Sequence, residues 1–262
     1  MIVSLANPHV KHIRSLAADR NDRRRERLFV LEGVRLVSHA LALAGALELA
    51  LYVPEQLEHT PAGRVLQAQL ASQAWAHPAS AQVVAAASGT VQPQGVVALA
   101  QWPQIEPGRP GIMLVLDSIQ DPGNLGTLLR SADAVDVAEV LCAKGTADIY
   151  SPKVVRAAMG AHFRLAIEQD LGWEQVGERL AFVDHVYAAD AAARMPYYAA
   201  DWRQPAALLI GNEAHGLSDA ARALAGKSIG IPMRGQAESL NAAVAGSVIL
   251  FEAQRQRMLG RS

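Results

Sequence analysis

Apolar runs alternate with segments of helical periodicity along most of the chain. EGVRLVSHALALAG has apolar residues at helical spacing and stops at Gly45. LELALYVP reads as a short strand closed by Pro54, and AGRVLQAQLASQ as a helix. QVVAAASG reads as a short helical piece ending on Gly89, and GVVALAQWP as a buried strand. QIEPGRPG follows, with prolines and glycines dense enough to mark a linker. These breaks predict a domain over 1–103, a linker over 104–110 and a second domain over 111–262.

From residue 111 the alternation is regular. GIMLVLD is a continuous apolar strand, SIQDPG a loop, and NLGTLLRSADAVD a helix. AEVLCAK is a second strand, and SPKVVRAAMG a helix with Ser151 as N-cap and Pro152 at its first position. RLAIEQ, HVYAAD, AALLIGN and SIGIPM read as further strands. Buried runs alternating with helices predict a mostly parallel sheet covered on both faces, an α/β fold. The tail SLNAAVAGSVILFEAQRQRM predicts a helix over 239–258 whose apolar positions go well round the circumference. Such a helix is buried on more than one side, within its own domain or against a second copy.

Composition narrows the class. Hydrophobic residues are 51% of 262 and charged residues 19%, enough apolar side chain for a core and too little charge for disorder. One cysteine, Cys142, excludes a disulfide scaffold and a multi-thiolate zinc site, and its apolar strand predicts a small core residue. Apolar stretches break before the ~18 residues that a membrane helix needs. The first residues lack a signal-peptide core, so a soluble cytoplasmic protein is expected, with no membrane partner. The net charge of -1 hides a basic N-terminal stretch that includes RNDRRRER. Guanidinium forks there suit phosphate, with Arg23, Arg24, Arg25 and Arg35 as candidate contacts. A solvated turn between two helices is the other reading of the same run.

Three strand-end loops collect the unusual residues. DSIQDPGNLGTLLR turns at Pro122–Gly123, and Asn124 opens a helix whose first N–H groups are expected to be free for an anion. Arg130 follows and is expected to point toward the same end of the sheet. IGNEAHGLS brackets Asn212 and Glu213 with Gly211 and Gly216, and Ser218 is placed to cap the next helix. IPMRGQAESLN bends at Gly235 before Ser239 and Asn241 start the last helix. Strand ends of an open α/β sheet share one edge, where such folds bind ligands. No GxGxxG follows the first strand of either domain, which disfavours a dinucleotide-dependent oxidoreductase.

Together these loops resemble the three signature motifs of the SpoU-type (TrmH-like) branch of the SPOUT RNA methyltransferases. Asn124, Gly126 and Arg130 match the first motif, and Gly211, Asn212, Glu213 and Gly216 the second. Pro232, Met233, Gly235, Ser239, Leu240 and Asn241 match the third. LFVLEGVRLVSHAL and PQGVVALA resemble the small RNA substrate-binding domain found ahead of that catalytic domain. The resemblance implies a parallel-sheet domain with a trefoil knot, and methyl transfer from S-adenosylmethionine to a ribose 2′-hydroxyl. It implies RNA as partner, ribosomal rather than transfer RNA, and a homodimer with composite active sites. Its implied catalytic residues are Arg130, Asn124, Glu213, Ser239 and Asn241, with no metal. Gly211, Asn212, Ile231, Met233, Ser239 and Leu240 are implied to hold the cofactor. Arg23, Arg24, Arg25, Arg35 and Arg130 are implied to meet the RNA. A catalytically silent RNA-binding protein on the same fold is the alternative.

Overall fold

The computed structural model describes residues 1–89, 93–108, 110–236 and 239–260. Of the segments read above, Arg109 in the linker and Ala237 and Glu238 in the third loop lie outside the described residues.

The chain begins with α1 (Pro8–Ala18), α2 (Arg20–Glu26), β1 (Leu28–Glu32), α3 (Val34–Leu41), β2 (Leu47–Tyr52) and α4 (Pro54–Leu57). It continues through α5 (Pro61–Ala71), β3 (Ala76–Pro78), α6 (Ala81–Ala87) and β4 (Val96–Gln101). Then come β5 (Ile112–Leu116), α7 (Pro122–Ala134), β6 (Glu139–Ala143), α8 (Pro152–Ala158) and β7 (Ile167–Leu171). The remainder is α9 (Trp173–Leu180), β8 (His185–Ala189), β9 (Met195–Pro196), β10 (Ala206–Ile210), α10 (Asp219–Leu224), β11 (Lys227–Gly230) and α11 (Ala242–Leu259).

Contacts group these elements into two units, Met1–Pro103 with Tyr150–Gly160, and Gln104–Ile149 with Ala161–Ser262. Helix α8 is therefore counted with the first unit, where the sequence reading placed its segment in the second. Within the first unit α8 packs on β1. Its N-cap residue Ser151 makes no side-chain cap bond.

The first unit is a four-stranded mixed sheet in the order β1-β4-β2-β3. Val10, Ile13 and Leu16 of α1 and Val83, Val84 and Ala87 of α6 bury one of its faces. The arginine run is a helix rather than a turn, because Asp19 caps it and accepts from Asn21 N at 2.7 Å. It ends at Arg27 in the left-handed conformation, φ 53°.

The second unit is a seven-stranded sheet in the order β7-β6-β5-β10-β8-β11-β9, parallel at every pairing. Leaving β5, the chain builds outward through β6 and β7 and then returns to the other side of β5. The switch point lies between β5 and β10, paired in register from Ala206↔Ile112 to Ile210↔Leu116. Both strands are buried along their whole length, as continuous apolar runs in a doubly covered parallel sheet should be. Cys142 lies in β6, where burial pushes its thiol up to about 12. Among the described residues, no helix is long and apolar enough to cross a membrane.

Candidate active site

At the switch point β5 is followed by Asp117, 2% exposed, and by Ser118 in the left-handed region at φ 57°. Asp117 Oδ2 accepts from Ser218 N at 2.6 Å, and Asn212 Nδ2 donates to Ser118 O at 2.8 Å. The loop after β10 is thus tied at both ends to the start of the loop after β5. The second loop closes on itself, with Gly216 N donating to Asn212 O at 2.9 Å. Asn212 Oδ1 accepts from Ala214 N and His215 N. A Cβ on Gly211 would stand 2.3 Å from Gly216 C and 2.4 Å from Leu217 N, so only glycine passes beneath this turn. Ser218 caps α10 through Ala221 N.

The first and last motif helices meet at their N-termini. Asn241 caps α11 by accepting from Ala243 N at 2.9 Å and Val244 N at 3.2 Å. Its Nδ2 donates to Asn124 Oδ1 at 2.9 Å, and Asn124 Nδ2 donates to Glu213 Oε1 at 2.8 Å. Three motifs, far apart in sequence, are joined by one directed chain of hydrogen bonds ending on a carboxylate. Packing holds the helices at that spacing. Gly246 of α11 leaves no room for a Cβ, which would come within 2.5 Å of Leu128 of α7. Ser131 and Ser247 bridge the pair at 2.7 Å.

Two expectations need correction. The N-terminus of α7 is not open to an anion: Asp121 caps it, taking Asn124 N at 2.8 Å, and Pro122 has no N–H to offer. Arg130 does not reach the Asn124–Glu213–Asn241 chain. Six helical residues carry it about 9 Å along α7 and about 120° round the axis from Asn124. It is exposed and makes no hydrogen bond or ion pair to a described residue.

Beside the chain lies a cavity of about 340 Å³. Gly211, Asn212, Ile231, Met233, Ser239 and Leu240 all line it, as do Glu213 and Asn241. Asn124 adjoins it through its two bonds, whereas Arg130 is not part of its wall. Ile210, Ile229 and Ile249 supply an apolar floor. Asp190, just past β8, lines the opposite wall and was missed in the sequence, although HVYAAD ends a strand at the same sheet edge. The Arg222 guanidinium, 2.9 Å away, holds the Asp190 carboxyl below the usual carboxylate range. Among the described residues, two carboxylates and no lysine or arginine line the cavity. Apolar walls with acidic side chains suit a flat heterocycle attached to a cationic centre. Among the described residues, no group of three metal-ligating side chains occurs.

In the first unit Arg23 turns inward, 4% exposed, with Nη1 donating to the carbonyls of Leu16 and Ala17 at 2.6 and 3.2 Å. It caps the end of α1, because an amphipathic helix followed at once by another leaves carbonyls that need a donor. It is not an RNA contact. Arg25 pairs with Asp22 and Glu26, while Arg24 and Arg35 are exposed.

Residues 111–251 match the SpoU rRNA Methylase family, and residues 7–98 match the MRM3-like substrate binding domain. The chain belongs to the SpoU rRNA methylase family. The chain is 30% identical to the 23S rRNA (guanosine(2553)-2'-O)-methyltransferase RlmP of Bacillus subtilis, over 95% of this chain and 97% of that one. It is 32% identical to the 23S rRNA (uridine(2479)-2'-O)-methyltransferase of Streptomyces viridochromogenes, covering 99% and 94%. The crystal structure of the SpoU methyltransferase AviRb of S. viridochromogenes in complex with AdoMet superposes with a TM-score of 0.85 at 31% identity, covering 96% of this chain and 98% of that one.

Proposed function

We propose that this SpoU-family protein transfers the methyl group of S-adenosylmethionine to a ribose 2′-hydroxyl of ribosomal RNA, acting in the cytoplasm as a homodimer. The observation that carries the reading is the hydrogen-bonded chain Asn241–Asn124–Glu213 along the wall of an acidic, apolar-floored cavity. The family's methyl donor supplies an electrophilic methyl on a sulfonium, and the cavity's carboxylates favour that positive charge. Main-chain groups of the second and third loops would read the adenine edge, with Ile231, Met233 and Leu240 around it. In this reading those loops form the trefoil knot that the family resemblance implies.

A ribose hydroxyl is a weak nucleophile, so the protein has two tasks, alignment and assistance to the departing proton. Glu213 is held as an acceptor by Asn124, and Asn124 in turn by Asn241. Arg130 serves as a guanidinium fork for the target's phosphate, orienting the hydroxyl rather than removing its proton. It reaches a cavity only from a second copy. It adjoins Ser131, which bonds Ser247 of α11, and Ser247 is flanked by the exposed Val244, Val248 and Phe251. An apolar stripe beside an unpartnered arginine is the surface a two-fold partner would cover. Arg24 and Arg35 in the first unit add RNA contacts.

Mapping 2′-O-methyl groups in ribosomal RNA from cells with and without the protein tests this reading. One ribose methyl lost with the gene and restored by wild-type protein is expected. An unchanged map, with RNA binding retained, would make the protein a silent binder instead.

A further inference from the structure

In the second unit, most cationic side chains among the described residues are engaged. Arg164 pairs with Asp133, Arg179 with Glu139 and Glu168, and Arg203 with Asp201. Arg222 pairs with Asp190 and Arg255 with Glu252, while Arg257 donates to the carbonyls of Trp202, Gln204 and Pro110. Besides Arg130, four exposed cations have no hydrogen bond or ion pair to a described residue: Lys144, Arg194, Lys227 and Arg234.

Three of these four stand at one edge. Lys144 directly follows the last residue of β6. Arg194 precedes β9, whose Met195 and Pro196 pair with Ile229 and Gly230 at the carboxyl end of β11. The loop that carries it packs so closely there that a Cβ on Gly230 would lie 2.9 Å from Asp190 O and 3.0 Å from Ala193 O. Arg234 lies in the loop after β11, one residue past Met233 of the cavity wall. Lys227 opens β11 level with Tyr187 in the middle of β8, and so lies back from that edge. At about 4.8 Å per strand, the ends of β6 and β11 are about 19 Å apart, with the cavity between them.

A single unpaired surface cation means little. Here three of the five free cations stand along one sheet edge, beside a cavity whose described ionisable lining is acidic. Glu213 repels phosphate there, while Arg222 occupies the Asp190 carboxylate, so a ribose enters only if its flanking phosphates are held outside the wall. We propose that Lys144, Arg194 and Arg234 form a phosphate-binding rim along the carboxyl edge of the sheet, gripping the RNA backbone on both sides of the target ribose. This rests on the substrate reading above and adds to it the residues that seat the strand.

The test is binding to protein-free ribosomal RNA from cells lacking the gene, over roughly 50 to 300 mM KCl, for wild-type protein, Lys227→Ala and the triple variant Lys144→Ala/Arg194→Ala/Arg234→Ala. Each lost phosphate contact should flatten the log–log salt dependence by about 0.7, so the triple variant should lose about 2 from the slope. Its S-adenosylmethionine affinity and oligomeric state should match wild type, and Lys227→Ala should keep the wild-type slope. A triple variant with an unchanged slope, on RNA that wild type methylates, overturns the rim alone. A triple variant that loses cofactor affinity or dissociates also overturns it, because the cations then serve the cofactor or a partner copy. Wild-type protein that neither binds nor methylates this RNA sinks the substrate reading and the rim together.

Discussion

At the scale of single residues, the second loop turns on one hydrogen atom. Gly211 runs beneath the Gly216–Leu217 peptide, and any Cβ would meet main-chain atoms that have no rotamer to escape into. Gly211→Ala should cost about 1–3 kcal/mol of stability by overpacking. It should also weaken S-adenosylmethionine binding at least tenfold, and calorimetry on the folded variant checks this. His162 makes a different kind of prediction. It is 2% exposed, its Nε2 donates to Ile149 O at 2.7 Å, and burial pushes its pKa down to about 4. The unfolded chain binds this proton near pH 6.5, so the contribution is fully present above that value and lost as pH falls toward 4. Denaturant unfolding should find the protein about 2 kcal/mol less stable at pH 5 than at pH 7 from this group. His162→Gln should remove that share of the slope. Equal slopes would assign the acid sensitivity elsewhere.

At the scale of elements, α11 has two working faces. Ala243, Gly246, Ile249, Leu250 and Ala253 are buried, and Gly246 sets the close approach to α7. Val244, Val248 and Phe251 lie on the other side, with Phe251 50% exposed. Val248→Asp/Phe251→Asp should leave thermal unfolding nearly intact and convert a dimer to a monomer by light scattering. A variant that stays dimeric removes α11 from the interface. The apolar character of both faces was legible in its sequence because apolar residues occupy nearly every turn, and the structure buries one of them within the chain. The parallel sheet was legible too, since β5 and β10 are uninterrupted apolar runs and β6 is apolar after Glu139. Helix α1 and strands β1, β3 and β9 were not read as elements. The strands are short, and β1, β3 and β9 lie at sheet edges, where periodicity is weakest. The grouping of α8 with the first unit was also hidden, because an apolar helix face states that it is buried but not against what.

For the whole molecule, the motif loops converged on one cavity because strand ends of a parallel sheet must share an edge. The wall residue Asp190 escaped notice because its strand carried no motif. The inward turn of Arg23 escaped because a basic run looks the same whether its guanidiniums face water or carbonyls. Arg130 is the instructive case. Closeness in sequence to Asn124 suggested closeness in space, yet helical rotation separates them, and the proposed site joins the two across a pair of copies. Co-expression of Arg130→Ala with Asn241→Ala tests this most directly, by labelled methyl transfer from S-adenosylmethionine to ribose in protein-free ribosomal RNA. Each variant alone should lose about 10²- to 10⁴-fold, the scale of a misplaced proton-transfer site. Arg130→Lys should not recover the loss, since a point charge cannot replace the fork. Mixed dimers should recover roughly a quarter of wild-type activity, because half the dimers are mixed and each carries one intact site. A co-expressed pair as inactive as its parents, or a single variant that keeps its activity, would contradict a composite methyl-transfer site.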